Sequence, residues 1–223
     1  YKGPIDKFIP DGLKEELRTR EKLEVGDTIF FIADSLAKAP KLAGQIRTEL
    51  GNALGLTEKD AYRFCFVNDF PMYEIDEQTG KVAFTHNPFS MPQGGLEALN
   101  AKDPLEILAY QYDIVCNGVE LSSGAVRNHD LDIMVKAFQI AGYDEQTLKE
   151  KFGALYTAFR FGAPPHAGMA PGVDRMLMLL KNEENIREVI AFPMSASGQD
   201  LMCGAPNEVT EAQLREVHIK IRK

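Results

Sequence analysis

Residues 110–127 read YQYDIVCNGVELSSGAVR. Asn117-Gly118 sits between two alternating apolar runs. That is the strongest short-range hairpin signal, because both central residues of a type I′ turn need positive φ. With a two-residue turn, Cys116 faces Val119, Val115 faces Glu120, and Asp113 lies across from Ser122. Alternation of side chains then puts Asp113 and Glu120 on one face as diagonal neighbours. Two carboxylates together inside a strand pair are costly unless a cation joins them. A hard divalent ion such as Mg²⁺ would do so. Arg127 lies seven residues beyond Glu120 and has the opposite parity. It reaches the same face only if the strand bulges or bends, for which Ser122-Ser123-Gly124 is the expected place. The same residues also suit a sheet-edge hairpin with a solvated surface of Asp, Arg and Glu.

The second informative stretch is 161–180, FGAPPHAGMAPGVDRMLMLL. Gly162, Gly168 and Gly172 let the backbone run close to a bound group, since they have no Cβ to clash. Met176 to Leu180 read as a buried helix, with Arg175 in its first turn. A permanently charged planar guanidinium beside a helix N-terminus suits phosphate oxygens or a flat ring. The alternative is a Gly-rich strand-to-helix turn in which Asp174 and Arg175 only cap and charge the first turn.

Working outward, residues 64–71 (FCFVNDFP) predict a core strand ended by Pro71, with a turn at Gln78-Thr79-Gly80 and a returning segment at 82–85 making a hairpin. A polar loop follows, carrying His86, Asn87 and Pro88. The spacing also predicts a short helix around Leu96 to Leu99, helices over 131–141 and 145–161, and a short strand at 189–193. Upstream, helical patterns at 11–25 and 37–54 flank a β-branched and aromatic run, residues 28–34, read as a buried strand. Local hairpins and short connections favour an α+β fold, an antiparallel sheet flanked by helices, over parallel βαβ units.

The 223 residues suffice for one large domain or a domain plus an appendage. The net charge of −8 and pI near 5.1 argue against a chain that coats nucleic acid non-specifically. The one dense basic run, the terminal HIKIRK, reads as a solvated tail. No apolar run approaches the roughly 20 residues of a membrane span and no signal peptide opens the sequence, so the cytoplasm is expected. Cys65, Cys116 and Cys203 are isolated thiols without zinc or disulfide spacing.

GAPPHAGMAPGVDRMLMLL resembles motif 3 of the class II aminoacyl-tRNA synthetases in the form carried by bacterial aspartyl-tRNA synthetases. Residues 110–127 resemble that family's YDLVxNGxExGGGSxR, with Ser122-Ser123 for two of its glycines. The strand at 64–71 and the following loop resemble WVxDFP…HHPFT, with Asn87 in place of the second histidine. The resemblance implies ATP held at Gly172, Val173, Asp174 and Arg175, with Glu120 also in that site. It further implies Mg²⁺ at Asp113 and Glu120, and L-aspartate held by His86 and by Arg127, which meets the side-chain carboxylate. Glu120, Arg127 and Arg175 are then the catalytic group. No role falls to Asn87, His129, His166 or the loop 194–202.

GDTIFFIADS and the helix after it resemble the last part of the domain inserted into the bacterial enzymes. Residues 1–56 are therefore expected to be the end of that insertion, and 57–223 the C-terminal half of the catalytic domain. The opening YKGPIDKFIP reads as the middle of something. The family's motif 1 helix, motif 2 arginine and anticodon-binding barrel are not found here and would lie upstream of Tyr1. The implied reaction joins L-aspartate to the 3′ end of tRNA(Asp), and of tRNA(Asn) in a relaxed variant, by way of aspartyl-adenylate. The whole protein is expected to be a homodimer. The isolated chain is expected to be a poor catalyst or none. Lysyl and asparaginyl enzymes share motif 3, and a non-catalytic fragment or paralogue serving in binding is the reading from another class.

Overall fold

A computed structural model describes residues 2–35 and 38–222. The first residue of the helix expected over 37–54, along with Tyr1 and Lys223, lies outside them. The chain divides into two units, Tyr1–Ala61 and Tyr62–Lys223, each described by itself.

The first unit holds a 3-10 turn, Asp6–Phe8, and two helices, α1 (Asp11–Arg20) and α2 (Ala39–Ala53). Neither helix has a buried residue. The strand expected at 28–34 is not formed by the described residues, and Phe30 and Phe31 are more than half exposed. The reason is pairing. A strand needs a second extended segment for its N–H and C=O groups, and this unit offers only helices.

The second unit is built on an antiparallel sheet in the order β1-β4-β5-β6: β1 (Phe64–Pro71), β4 (Leu108–Cys116), β5 (Val119–Val126) and β6 (Ala167–Pro171). Strand β1 pairs with β4, not with residues 82–85. Those residues contribute β3 (Val82–Phe84), which pairs with β2 (Tyr73–Ile75) in a separate two-stranded hairpin. A three-residue partner cannot satisfy an eight-residue strand, whereas β4 runs nearly its whole length. The turn of the small hairpin is tied by Asp76, whose Oδ1 accepts from the backbone N–H of Gln78 and of Thr79 and from the Thr79 hydroxyl.

Five helices complete this unit: α3 (Gly95–Ala101), α4 (Leu131–Ile140), α5 (Glu145–Arg160), α6 (Val173–Leu180) and α7 (Glu211–Glu216). Helices α4 and α5 begin with side-chain caps. Asp130 accepts from the N–H of Asp132 and Ile133, and Asp144 from that of Thr147. The core joins Met72, Tyr73, Leu99, Ile107, Ala109 and Ala137, and beside them Met134, Phe138 and Leu148. Tyr73 brings its hydroxyl into this core because it donates to the Ala137 carbonyl at 3.0 Å. Two expectations fail here. Residues 189–193 form no strand, only a 3-10 turn (Ile186–Glu188) and irregular chain. Helix α6 is not buried: Met178 is covered, but Val173 and Leu180 are about two-thirds exposed or more. Among the described residues no helix is long and apolar enough to cross a membrane.

Candidate functional site

The hairpin β4–β5 turns at Asn117 (φ 50°) and Gly118 (φ 81°), both in the left-handed region that a type I′ turn requires. Its first pairs are Cys116 with Val119 and Val115 with Glu120, as the turn dictates. The next pair is Ile114 with Ser122, so Leu121 is an extra residue on β5. Asp113 therefore faces Ser123 and not Ser122. The bulge lies one residue before the Ser122-Ser123-Gly124 run expected to hold it. Its effect on parity is the one Arg127 needs. Beyond the extra residue, Ser123, Ala125 and Arg127 come round to the face already occupied by Asp113 and Glu120.

That face is the floor of a cleft of about 770 Å³. Asp113, Glu120, Arg127 and His86 all line it, and Leu155 and Phe159 of α5 form an opposing wall. Along β4 the same face runs from core to cleft: Ala109 is fully buried, Gln111 is 8% exposed, and Asp113 is half-buried. Gln111 donates from Nε2 to the Asn87 carbonyl at 3.3 Å, which ties the loop of His86 to the floor. The His86 ring meets Phe70 edge-on at 5.2 Å.

Arg127 makes no ion pair among the described residues. Its guanidinium carbon stands 5.6 Å from the centre of the Phe89 ring, and its backbone N–H donates to the His166 carbonyl at 2.9 Å. A guanidinium within cation–π range of a ring, lining a cleft and without an ion pair among the described residues, suits a planar anion.

The motif at 161–180 forms β6, the N-cap Gly172, and α6, with Arg175 in the first turn. Helix α6 fastens the bulge. The Gly172 N–H donates to the Leu121 carbonyl at 2.7 Å. Arg175 Nη1 donates to the Glu120 carbonyl at 2.7 Å and to Glu120 Oε1 at 3.1 Å. Arg175 thus reaches the site through Glu120, while Gly172, Val173 and Asp174 are not among the cleft-lining residues. Among the described residues only Nη1 is engaged, which leaves Nη2 and Nε for another anion.

Of the three glycines in that stretch, Gly162 needs its φ of 89°. A Cβ on Gly168 would meet nothing, and one on Gly172 would make ordinary contacts at 3.5 Å. The close approach belongs to Gly124 on β5 instead. A Cβ there would stand 2.4 Å from the Gly168 carbonyl oxygen and 2.5 Å from Tyr112 Cε2.

His166 also lines the cleft, a position the sequence did not disclose. It follows Arg127 across the end of the β5–β6 ladder, whose last pair is Val126 with Ala167. Its Nδ1 lies 2.8 Å from the Pro164 carbonyl. A carbonyl can only accept, so Nδ1 carries the proton of this contact. His129 shows the same arrangement toward the Arg127 carbonyl at 3.3 Å, and its ring centre is 6.4 Å from that of His166.

Among the described residues no three His, Cys, Asp or Glu side chains gather as a metal cluster. The donor set on the floor is two carboxylates. Such a pair suits a hard divalent ion that takes its remaining oxygens from phosphate and water.

Residues 9–196 match the sequence pattern of the tRNA synthetases class II (D, K and N). An aspartate--tRNA ligase of Streptomyces avermitilis is 58% identical over 221 residues, 99% of this chain and 38% of that protein. An aspartate--tRNA(Asp/Asn) ligase of Acidiphilium cryptum is 57% identical over 220 residues, 99% of this chain and 37% of that protein. A solved aspartyl tRNA synthetase from Entamoeba histolytica is 28% identical, covering 84% of this chain and 31% of that one. Its TM-score is 0.45. This chain spans rather more than a third of the length of the curated relatives it matches. The match over most of its length shows that the chain belongs to the class II tRNA synthetases of the D, K and N group.

Proposed function

We propose that the protein to which this chain belongs is an aspartate--tRNA ligase, and that the cleft over β4 and β5 is part of its activation site. The observation that carries the reading is the Leu121 bulge, which gathers Asp113, Glu120 and Arg127 on one face with His86 at the rim. The names of the relatives support the amino acid and the tRNA.

In this reading an α-carboxylate oxygen of L-aspartate attacks the α-phosphorus of ATP and pyrophosphate leaves. A hydroxyl oxygen at the tRNA 3′ end then attacks the activated carbonyl carbon and AMP leaves. Neither step needs a protein nucleophile. Positioning and charge stabilisation supply the rate. Arg127 holds the side-chain carboxylate with a two-pronged guanidinium, which favours aspartate over its amide. His86 closes the other side of the amino acid.

Arg175 presents its free Nη2 and Nε to the ATP phosphates beside the N-terminus of α6, while Glu120 holds its Nη1. Gly172, Val173 and Asp174 complete the backbone there. Asp113 and Glu120 are the residues that would hold Mg²⁺, which when bound neutralises phosphate charge. The homodimer and the cytoplasmic setting of the family are part of the same proposal.

The test is calorimetric titration of L-aspartate and of Mg–ATP into this chain and its Arg127→Ala variant, alongside aspartate-dependent ATP–pyrophosphate exchange. The reading expects Mg–ATP binding in both proteins, aspartate binding in the parent only, and little or no exchange from this chain alone. Equal aspartate binding by parent and variant sinks it. Charging assays on the full-length protein with tRNA(Asp) and tRNA(Asn) assign the acceptor.

A further inference from the structure

A second pocket, of about 290 Å³, opens between β3, α4 and α5. Phe84, Phe138, Tyr143 and Phe152 supply ring surface to it, Leu148 closes its base, and Lys151 stands at its rim. Phe138 is the hub of these rings, with centres 5.0 Å from Phe84, 6.1 Å from Tyr143 and 5.9 Å from Phe152. The Lys151 ammonium lies 5.5 Å from the centre of the Tyr143 ring and makes no ion pair among the described residues. The carboxylate of Asp144, next to Tyr143 in the chain, is occupied by the Thr147 N–H. The pocket thus combines aromatic walls with one positive charge that, among the described residues, no carboxylate neutralises.

We infer that this pocket is a binding site for a small aromatic carboxylate, ring inward and carboxylate on Lys151, and that its occupancy is felt in the main cleft. The volume is near the lower end for small-molecule sites, which suits a single ring. Ring-on-ring packing supplies the attraction and the ammonium fixes the orientation.

Two contact paths lead to the cleft. His86 lines both cavities. Phe152 packs edge-on against Phe89 at 5.0 Å, and Phe89 carries the Arg127 guanidinium. Phe152 is also where α5 leaves helical geometry (φ −129°, ψ 30°). The helix is therefore two segments, one walling the pocket and the next, with Leu155 and Phe159, walling the cleft.

The test uses benzoate as the charged probe and benzyl alcohol as the neutral one, with binding and imidazole resonances followed by NMR. Benzoate is expected to bind saturably and to move the ring protons of His86. Lys151→Gln, on the surface, is expected to weaken benzoate by about tenfold, the worth of one charge-assisted hydrogen bond, and to leave benzyl alcohol unchanged. Thr147→Phe, which puts a larger side chain on a pocket-lining position of α5 and leaves the lysine in place, is expected to abolish both. Benzoate binding that is indifferent to Lys151→Gln, or His86 resonances that stay still at saturation, overturns the inference. Benzoate taken up on Arg127 in the main cleft would be indifferent to Lys151→Gln, so the lysine variant tells the two sites apart.

Discussion

Gly124→Ala is the sharpest single test of how the floor is built. Gly124 is in the middle of β5, opposite Tyr112 on one side and Met169 on the other. Its added Cβ would stand 2.4 Å from the Gly168 carbonyl oxygen, 2.5 Å from Tyr112 Cε2 and 3.0 Å from Met169 Cβ. The tyrosine ring cannot swing clear without losing its own bond, since its hydroxyl donates to that same carbonyl at 3.0 Å. The carbonyl is backbone, so β6 itself must move by about 0.6 Å to bring the first contact even to 3.0 Å. Overpacking of this kind costs about 1–3 kcal/mol, and the hydroxyl bond adds about 0.5–1.5 kcal/mol. Their sum, about 1.5–4.5 kcal/mol, corresponds to a fall in Tm of about 3–18 °C for a unit of this size. Circular dichroism melts of the parent, Gly124→Ala and Gly153→Ala make the comparison. Gly153 in α5 has open space around its Cβ position and no positive φ, so alanine there should match or exceed the parent. If Gly124→Ala melts within about 1 °C of the parent, the close approach of β5 to β6 is refuted.

Asn117→Val should destabilise by about 2 kcal/mol in urea titration: a β-branched residue resists φ 50°, and the bond from the Arg63 N–H to Asn117 Oδ1 is lost. Gly118→Ala, lacking that bond, should cost less. Tyr73→Phe should cost about 1 kcal/mol, because it strands the buried Ala137 carbonyl; burial also pushes the Tyr73 hydroxyl above its ordinary pKa, so no loss of stability from its ionisation is expected below that range. Hydrogen bonds from the Thr147 hydroxyl and backbone N–H hold the Asp144 carboxyl below the usual aspartate range. Its folded-state pKa is lowered, so its contribution is present above the unfolded pKa and is lost as pH falls through the folded one. Melts from pH 6 down to pH 2 should show a shallower decline for Asp144→Asn than for the parent, and identical declines would remove the cap from the account.

What the sequence disclosed follows from how local each signal is. The Asn117-Gly118 turn is decided by two residues, so the first two pairs of the hairpin were legible. Helices α2, α4 and α5 announced themselves by apolar spacing, while the caps at Asp130 and Asp144 are seen only in the structure. Strand partnership is not local. Residues 28–34 have strand composition and no partner, and 82–84 pair with three residues that were not singled out as a strand. The closeness at Gly124 arises only when strands distant in sequence meet.

The bulge shows why the site was half legible. Parity alone demanded an extra residue between Glu120 and Arg127, and small residues at 122–124 drew attention to themselves as its place. The extra residue is Leu121, which is largely buried and has no turn chemistry of its own. What holds it out of register comes from elsewhere: two carbonyls in succession, those of Glu120 and Leu121, take their donors from Arg175 and Gly172. The arginine that the phosphate reading needs is thus also a fastening of the bulge that turns Arg127 toward the cleft. A change at Arg175 should therefore disturb both halves of the cleft, and a lysine there, with a point charge in place of a planar fork, cannot keep one donor on the bulge and offer others in the same plane.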